Sequence, residues 1–368
     1  MKKFLKIAGV LFLGAIGIGV IWYFQSLKIE GDPLLTACWG VEVYDDLTGE
    51  KVVGVEDLDF DPATGTIFLS AYDRRAVARE IDEGKVTTQG GIYTINVSDI
   101  TDATSLQVTD ISRAFKEAGN EFRPHGFSLG VLDEQKMLMV INRTVQTGDN
   151  ILIVPKILLF SLYSEKLNLE HSFESKGYCD LYDVVFKSYE IVATNDLSRC
   201  YDLQNNNLKR GELIPYYENV VPTLISSSDL PNGIAYWGES KLVYSETKNK
   251  ELIVIDFSNG GFDFLYEFIK TKGFPDNLTV DETNNLIVAV FPNLIDYFFF
   301  MKSWIGVNKS PSAAYRISPE TYEQTLLFKD DGAMISGATV ALRAGDYLIL
   351  GSGWDDHIAI CSGMDGLD

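Results

Sequence analysis

The chain has 368 residues, with 31 lysines and arginines against 52 aspartates and glutamates, so its formal net charge is −21. A surface this acidic repels phosphate backbones, which argues against nucleic acid as a partner. The composition is 46% hydrophobic and 12% aromatic. That is enough apolar material for a large folded core, which argues against intrinsic disorder.

The first segment of the chain is typical of membrane insertion. Three lysines precede an apolar run over residues 7–24, which ends in three aromatic side chains and is about long enough to cross the hydrocarbon core. No small-residue cleavage site follows it. We therefore predict a transmembrane signal anchor over residues 1–28, with residues 29–368 on the exported side, periplasmic or extracellular/lumenal. A cleaved signal peptide, which would secrete the protein, is the alternative.

One hairpin pattern recurs six times after this segment. Each copy has a short strand, an acidic or polar turn, and a second strand rich in β-branched and aromatic residues. The copies span residues 54–73, 125–143, 182–196, 232–246, 276–293 and 336–353. They start on average about 56 residues apart, which fits propeller blades of about 40–50 residues with some long loops. The pattern predicts an all-β fold, a six-bladed β-propeller over residues 29–368.

Two connecting segments stand out between the hairpins. Residues 72–91 leave the first hairpin through Tyr72-Asp73-Arg74-Arg75, and we expect a long polar loop there. Residues 294–304 are rich in aromatic side chains and should lie over the same face of the propeller. They could form the wall of an apolar substrate pocket, rest on the bilayer, or form a helix packed on the propeller.

The four cysteines flank hairpins. Cys38 precedes the first copy and Cys361 follows the last, so a disulfide between them would lock the closure of the ring. On the chain-entropy model, a cross-link over so long a loop contributes roughly 5 kcal/mol. Cys179 and Cys200 flank the third hairpin, where either a second disulfide or two thiols would fit.

The residues that open the hairpins should converge, because equivalent positions of all blades face one end of the central channel. These residues are Glu56–Asp57, His125–Gly126, Tyr182–Asp183, Asn232–Gly233, Asp276–Asn277 and Ser336–Gly337. Four carboxylates crowded together repel one another unless they are protonated or neutralised. Several flexible oxygen ligands suit calcium better than magnesium. A simpler interpretation is that Asp, Asn and Gly start strands because they favour turns.

We therefore predict a central calcium site with two ions. The upper ion would be held by Glu56, Asn232, Asp276 and Asn277. The deeper ion would be held by Asp57, Asp183 and the backbone carbonyl of Phe127.

The same residues carry a resemblance to a known family. The segments G-x-E-D, P-H-G-F-S, A-T-N-D, N-G-I, D-N-L-x-V-D and F-P-N stand in this order at residues 54–57, 124–128, 193–196, 232–234, 276–281 and 291–293. Between Cys38 and Cys361 the chain resembles the paraoxonases, which are six-bladed propellers with two calcium ions and a disulfide joining their terminal strands. The resemblance implies that the upper ion is catalytic and the deeper one structural. It also matches His125 to the family's active-site histidine.

Two positions depart from the family pattern. Tyr182 stands where the family has an asparagine ligand, so the upper site would lose a ligand, take a water or draw on Asn195, unless the alignment is shifted by one residue. Arg143 stands where the family has the second histidine of a proposed dyad. An arginine does not relay protons at neutral pH, which argues against a literal dyad.

These observations predict a calcium-dependent hydrolase of lactones, and of aryl esters as a side activity. Ca²⁺ would polarise the carbonyl group, and His125 or Asp276 would assist the attack of water. The chain has no G-x-S-x-G elbow, phosphate-binding loop or dinucleotide fingerprint. The expected partners are a small lactone or ester and, through the anchor, the membrane. The alternative is a non-catalytic, calcium-stabilised propeller that binds a ligand or a protein.

Overall fold

In a computed structural model of the chain, residues 29–146, 152–163, 166–174, 180–188, 190–197, 223–227, 229–258, 265–303 and 306–367 are described. The chain divides into two compact units, residues 1–32 and 33–368, and every element named below belongs to the second. The predicted anchor and the pair Cys179 and Cys200 lie outside the described residues. Among the helices that are described, none is long and apolar enough to cross a membrane.

The second unit is built from short antiparallel strands. In chain order the described strands are β1 (Cys38–Asp45), β2 (Lys51–Val52), β3 (Val55–Asp61), β4 (Thr66–Ala71), β5 (Gly91–Asn96), β6 (Ser105–Asp110), β7 (Pro124–Leu132), β8 (Gln135–Gln146), β9 (Leu152–Tyr163), β10 (Lys166–Phe173), β11 (Leu181–Lys187), β12 (Glu190–Asp196), β13 (Thr223–Ser227), β14 (Pro231–Trp237), β15 (Lys241–Glu246), β16 (Glu251–Asp256), β17 (Leu265–Lys270), β18 (Phe274–Val280), β19 (Leu286–Phe291), β20 (Ser312–Ile317), β21 (Gln324–Asp330), β22 (Val340–Ala344), β23 (Tyr347–Gly351) and β24 (Ile358–Ser362). The fold is therefore all-β, as predicted.

The strands form six successive groups, which we call meanders 1 to 6. They are β3–β6, β7–β10, β11–β13, β14–β17, β18–β21 and β22–β24 with β1. Neighbouring strands within a meander are antiparallel, except that β13 runs parallel to β12. Each of the six predicted hairpins is the first strand pair of one meander. These six hairpin predictions are confirmed.

The first strands of the meanders contact one another in a closed cycle. Strand β3 lies against β7, and the contacts continue through β11, β14, β18 and β22 back to β3. Buried apolar side chains fill the spaces between the faces of successive meanders, as between Phe68 of β4 and Leu138 of β8. The alternation of inward and outward side chains along each strand supplies these faces. The cycle therefore brings the starts of the six inner strands close together.

The two ends of this unit meet in one sheet. Strand β1 pairs antiparallel with β24, with Cys38 opposite Cys361, and it also pairs parallel with β6 of meander 1. The predicted disulfide between Cys38 and Cys361 is present, and it joins residues 323 positions apart. The N-terminal strand thus completes meander 6 and bonds it to meander 1.

The segment after the first hairpin corrects a prediction. Instead of a long polar loop, it begins with helix α1 (Arg74–Asp82). The Asp73 carboxylate accepts a hydrogen bond from the backbone N–H of Ala76 and so caps the helix. Arg74 and Val77 are turned inward, and this small buried face was too short to be recognised as a helical period. A second short helix, α2 (Arg113–Glu117), follows β6.

Helix α3 (Leu294–Lys302) occupies the aromatic segment after β19. Its inner face packs on the sheets, since Tyr297 and Phe300 are buried and the Tyr297 ring stacks on Phe291 at 3.7 Å between centroids. Its outer face exposes 46% of Ile295 and 41% of Phe298. The alternative of a packed helix is therefore correct for one face of this segment.

We expect removal of the terminal disulfide to destabilise the protein without changing its fold. The double variant Cys38→Ser/Cys361→Ser should lose up to about 5 kcal/mol of unfolding free energy, because the unfolded chain regains the entropy of a very long loop. Denaturant unfolding, followed by circular dichroism, measures the loss. An unchanged unfolding midpoint would show that backbone pairing of β1 alone closes the ring.

Candidate functional site

The predicted site residues stand at irregularities in the inner strands. In each of meanders 1 to 5 the pairing of the first two strands shifts register at the start of the inner strand. The residues inside these bulges are Glu56, His125–Gly126, Tyr182–Asp183, Asn232–Gly233 and Asp276–Asn277. A bulge leaves residues unpaired and redirects their side chains, and bulges are enriched beside functional sites. The bulges therefore explain how one short motif recurs at the start of each hairpin.

All the predicted polar site residues are buried. Glu56, Asp57, His125, Asp183, Asn232, Asp276 and Asn277 are each exposed by 5% or less, and so is Phe127. Meander 6 contributes a different residue from the one predicted. The backbone N–H of Ser336 donates to Asp355, whereas the Thr339 hydroxyl donates to the Glu56 carbonyl at 2.8 Å. Ser336–Gly337 precedes β22, which has a regular register, so Thr339 takes the place we assigned to that pair.

Two glycines in the bulges are required by close backbone contacts. A Cβ atom on Gly126 would lie 2.4 Å from the carbonyl oxygen of Tyr182 and 2.5 Å from Cα of Asp183. A Cβ atom on Gly233 would lie 2.5 Å from Cα of Asn277. In both cases the atom that clashes belongs to the inner strand of the next meander. The sequences His-Gly and Asn-Gly therefore combine a site side chain with the space that lets the ring close.

A repeated hydroxyl contact links neighbouring meanders, and the sequence analysis missed it. Ser70 of β4 donates to the carbonyl of His125 at 2.6 Å, and Thr194 of β12 donates to the carbonyl of Asn232 at 2.6 Å. Ser245 of β15 donates to the carbonyl of Asp276 at 2.8 Å. In each case the second strand of one meander supports the bulge of the next. The sequence contains a signal for this contact, because three of the six hairpins have a Ser or Thr near the end of their second strand.

The two aspartates of the deeper predicted site also join neighbouring meanders. Asp57 accepts from the backbone N–H of Phe127 at 3.0 Å, and Asp183 accepts from that of Ile234 at 2.9 Å. The other oxygen of each carboxylate accepts from the next residue of its own strand. These bonds link meander 1 to meander 2 and meander 3 to meander 4.

The upper predicted site contains polar oxygens with no hydrogen bond. Oδ1 of Asn232 and Oδ1 of Asp276 are buried and have no partner among the described residues. Glu56 lies beside them in the ring, and its backbone carbonyl accepts from the Asn277 side chain at 3.0 Å. A buried acceptor without a partner costs about 1–3 kcal/mol, so two of them together point to a missing donor or cation.

Burial raises the pKa of each carboxyl group in the ring. It raises the pKa of Asp183 to about 8, with the charges of Asp59 and Glu56 adding to the effect. The pKa of Asp276 lies well above its usual range because of burial and then the charge of Glu56. For Asp57 the causes of the raised pKa are burial and then the charge of Asp183. Burial also raises the pKa of Glu56, although the Arg74 guanidinium opposes this most strongly.

An arginine that the sequence analysis did not assign lies in the site. Nη2 of Arg74 is 3.2 Å from Oε2 of Glu56 and 3.2 Å from Nδ1 of His125. A guanidinium only donates hydrogen bonds, so Nδ1 is the acceptor and the ring proton of a neutral His125 is on Nε2. Oε1 of Glu56 lies 3.5 Å from the same Nδ1. Arg74, Glu56 and His125 thus form one connected group.

The two residues that depart from the family pattern contact each other. The Arg143 guanidinium lies 5.3 Å from the centre of the Tyr182 ring, and its Nη2 is 2.9 Å from the Asp180 carboxylate. The Tyr182 ring is in turn 5.5 Å from that of His125. The amide of Asn195 bonds to Asp180 and Ser226, so it is engaged on another side of the strand. Arg143 and Tyr182 are therefore in cation–π contact.

A compact cluster of acidic and histidine side chains lies outside this ring. Within the described residues, it is the one group of three such side chains whose ligand atoms lie within 4.8 Å of one another. It consists of Asp355, Asp356 and His357. Nδ1 of His357 is 2.8 Å from the Asp356 carboxylate, and Nε2 is 2.6 Å from the Met334 carbonyl. Both ring nitrogens face oxygen atoms, an arrangement that favours the protonated imidazole, which has no lone pair for a metal. Neighbouring acids raise its pKa against the effect of burial.

The oxygen ligands of the ring fit calcium better at the upper predicted site than at the deeper one. Glu56, Asn232 and Asp276 offer oxygen atoms, and two of these oxygens have no partner among the described residues. A cation there would also offset the mutual repulsion of the carboxylates. Asp57 and Asp183 are already satisfied by backbone N–H groups.

We expect Gly126→Ala to disrupt this site. The added methyl group has no space beside Tyr182 and Asp183, so the variant should lose about 1–3 kcal/mol of unfolding free energy. Gly366→Ala is the matched control, since nothing lies within 4 Å of its added carbon. Denaturant unfolding of both variants measures the difference. Equal stability of the two variants would contradict the close approach of meanders 2 and 3.

We also expect the metal-free protein to become more stable as the pH falls from 8 towards 5. The folded-state pKa values of Asp183, about 8, and Asp59, about 6, exceed the unfolded value of 3.8, so the folded chain keeps protons that the unfolded chain loses. Their stabilising contribution is lost as pH rises through those values. Melting temperatures in chelator measure it, and Asp183→Asn should flatten the dependence. A melting temperature that falls on acidification over this range would contradict the assignment.

Comparison with known proteins identifies the family. The model of the family described as arylesterase matches residues 80–361, which is more than half of the chain. The matched region begins after Glu56 and Asp57 and contains the other predicted site residues. A search of curated proteins finds no significant match.

Several solved structures are similar in fold. A protein of unknown function from Bacteroides thetaiotaomicron has a TM-score of 0.50 at 11% identity, with 89% of this chain and 75% of that chain covered. A periplasmic gluconolactonase from Pseudomonas aeruginosa has a TM-score of 0.44 at 9% identity, covering 88% and 92%. A catalytically inactive virginiamycin B lyase from Staphylococcus aureus has a TM-score of 0.39 at 11% identity, covering 86% of each chain. The first of these likenesses concerns the fold alone, and the other two are too distant to support an argument. The family match is decisive: this chain belongs to the arylesterase family.

Proposed function

We propose that the chain is a calcium-dependent hydrolase of lactones, with aryl esters as further substrates. The observation that carries the proposal is the pair of unpartnered, buried oxygens on Asn232 and Asp276 beside Glu56, in a member of the arylesterase family. Asn277 would complete the upper set. Asp57, Asp183 and the carbonyl of Phe127 would hold a second, structural ion. In this proposal the six meanders are the blades of a six-bladed β-propeller, and the ions lie at its centre.

Calcium bound at Glu56, Asn232 and Asp276 would supply a Lewis acid for the carbonyl oxygen of the substrate. The chain's own groups would then handle the water. Of the two candidate bases we favour Asp276, since a carboxylate can bind calcium through one oxygen and take up the proton with the other, whereas Nδ1 of His125 accepts from Arg74. In its neutral form His125 carries its ring proton on Nε2, so its proposed role is that of a hydrogen-bond donor.

Tyr297 of α3 supports an apolar boundary on this side of the ring. Burial raises the pKa of the Tyr297 hydroxyl, and the charges of Asp276 and Glu56 add to the effect. Its ring is also 2.8 Å from the position of a Cβ on Gly337. The helix would thus exclude water from one side of the bound ester.

The location of the protein follows as a part of the proposal. Residues 1–28 would anchor the chain in a membrane, with the hydrolase on the exported side, and cleavage of the segment would release it. The disulfide between Cys38 and Cys361 supports this placement, because disulfides persist in oxidising compartments. An acidic surface at a formal charge of −21 leaves small neutral lactones or esters, rather than nucleic acids, as the expected ligands.

A non-catalytic propeller that binds a ligand or protein is the second candidate. The observation in its favour is the cation–π contact of Arg143 with Tyr182, the two positions at which the sequence departs from the paraoxonases that it resembles. Such a protein would bind calcium and gain stability from it, yet it would turn over no ester.

The test is hydrolysis of a panel of lactones and phenyl acetate by the full chain, first with calcium and then with chelator. We expect turnover that falls by at least about 100-fold in chelator and in Asp276→Ala, since both remove stabilisation of the developing oxyanion. His125→Gln should retain part of the activity if His125 donates a hydrogen bond. Calcium binding without turnover of any substrate would favour the second candidate.

A further inference from the structure

The side chain of Arg74 is fixed inside the site. It is the first residue of α1, yet only 6% of its side chain is exposed. Nη1 donates to the carbonyl oxygens of Gly54 at 3.1 Å and Gly353 at 3.3 Å, and the guanidinium lies 4.1 Å from the centre of the Tyr72 ring. Nη2 takes the contacts with Glu56 and His125 described above. Both terminal nitrogens of the guanidinium thus have partners within the protein, so the side chain is held in one place.

The charge of Arg74 acts on the same groups that would hold the upper calcium ion. It lowers the pKa of Glu56 and that of Asp276 against the effect of burial. A guanidinium stays protonated at any pH at which a protein is folded, so this charge is permanent. Arg143 is also near, but the carboxylate of Asp180 at 2.9 Å takes up its charge. Arg74 has no such second carboxylate among the ion pairs of the described residues.

We propose that Arg74 is a resident cation of this site. It supplies part of the positive charge that the buried carboxylates need. It also contacts one oxygen of Glu56 and so competes with calcium for that oxygen. The proposal rests on the proposed function for the identity of the competing ion, and its first test does not depend on that ion. Two consequences follow. The ring keeps its fold without metal because Glu56 has a counter-ion within the chain. Calcium binds more weakly than it would to the same four carboxylates without Arg74, because the guanidinium repels it.

The first test is a double-mutant cycle in chelator. Arg74→Met should lower the melting temperature by several degrees in the otherwise unchanged protein, because it leaves Glu56 buried without its cation. In the presence of Glu56→Gln the same substitution should cost less than half as many degrees. Arg74→Gln, which keeps an amide donor for the nearby carbonyls, serves if the Met variant does not fold. An equal loss with and without Glu56→Gln would overturn the proposal.

Arg343→Met is the matched control for the cycle. Arg343 is also a buried arginine at an ion pair, 3.7 Å from the Asp281 carboxylate, and it lies within β22, whereas Thr339 precedes that strand. Its replacement should lower the melting temperature by the same amount with and without Glu56→Gln. A dependence on Glu56 as strong as that of Arg74 would show that the coupling is not specific to the site, which would also overturn the proposal.

The second test is calorimetric titration of the full chain with calcium chloride. Arg74→Met should bind calcium about tenfold more tightly than the unchanged protein, and Arg74→Lys, which keeps the charge, should not. Unchanged or weaker binding by Arg74→Met would overturn the competition with calcium. An intact double-mutant cycle with no calcium binding by any variant would instead overturn the proposed calcium function and retain Arg74 as the counter-ion of Glu56.

Discussion

The central constraint on this protein is the burial of four carboxyl groups around one point. Glu56, Asp57, Asp183 and Asp276 are each nearly inaccessible to water, and burial raises the pKa of all four. Such groups persist only if protons, hydrogen bonds or cations compensate for the lost hydration. Backbone N–H groups of the neighbouring meander satisfy Asp57 and Asp183, and Arg74 contacts Glu56. Asp276 is left with an unpartnered oxygen, and this is where a further cation is needed.

The same contacts that serve the acids also close the ring. The hydroxyl groups of Ser70, Thr194 and Ser245 donate to the bulged carbonyls of the next meander, and the glycines after His125 and Asn232 admit its backbone. The bulges therefore couple the site to the fold, because a change that alters the spacing of the meanders also moves the site side chains. Closure is completed at the chain ends by β1, which bonds to both β24 and β6, and by the disulfide.

Much of this architecture could be predicted because it repeats. Six copies of one hairpin identified the strand pairs, and aligned acidic and amide residues at their starts identified the ring, including the residues of the unpartnered oxygens. The parts that were missed do not repeat. Helix α1 occurs once and buries only two residues, so the sequence pattern predicts a polar loop around Arg74. In meander 6 the inner strand begins at Val340 without a bulge, so Thr339 rather than Ser336 reaches Glu56. The contact between Tyr182 and Arg143, which lie far apart in the sequence, follows no repeat and could not be predicted.

The proposed function requires a cation among Glu56, Asn232 and Asp276. The most direct measurement is anomalous diffraction from crystals of the protein grown with calcium and then exchanged into terbium, which occupies calcium sites and scatters strongly. We predict an anomalous peak within bonding distance of the carboxylate of Asp276 and the side-chain oxygen of Asn232, and a weaker or absent peak in crystals of Asp276→Ala. Crystals that show no peak in this ring, with water bound to the two unpartnered oxygens, would contradict the proposal.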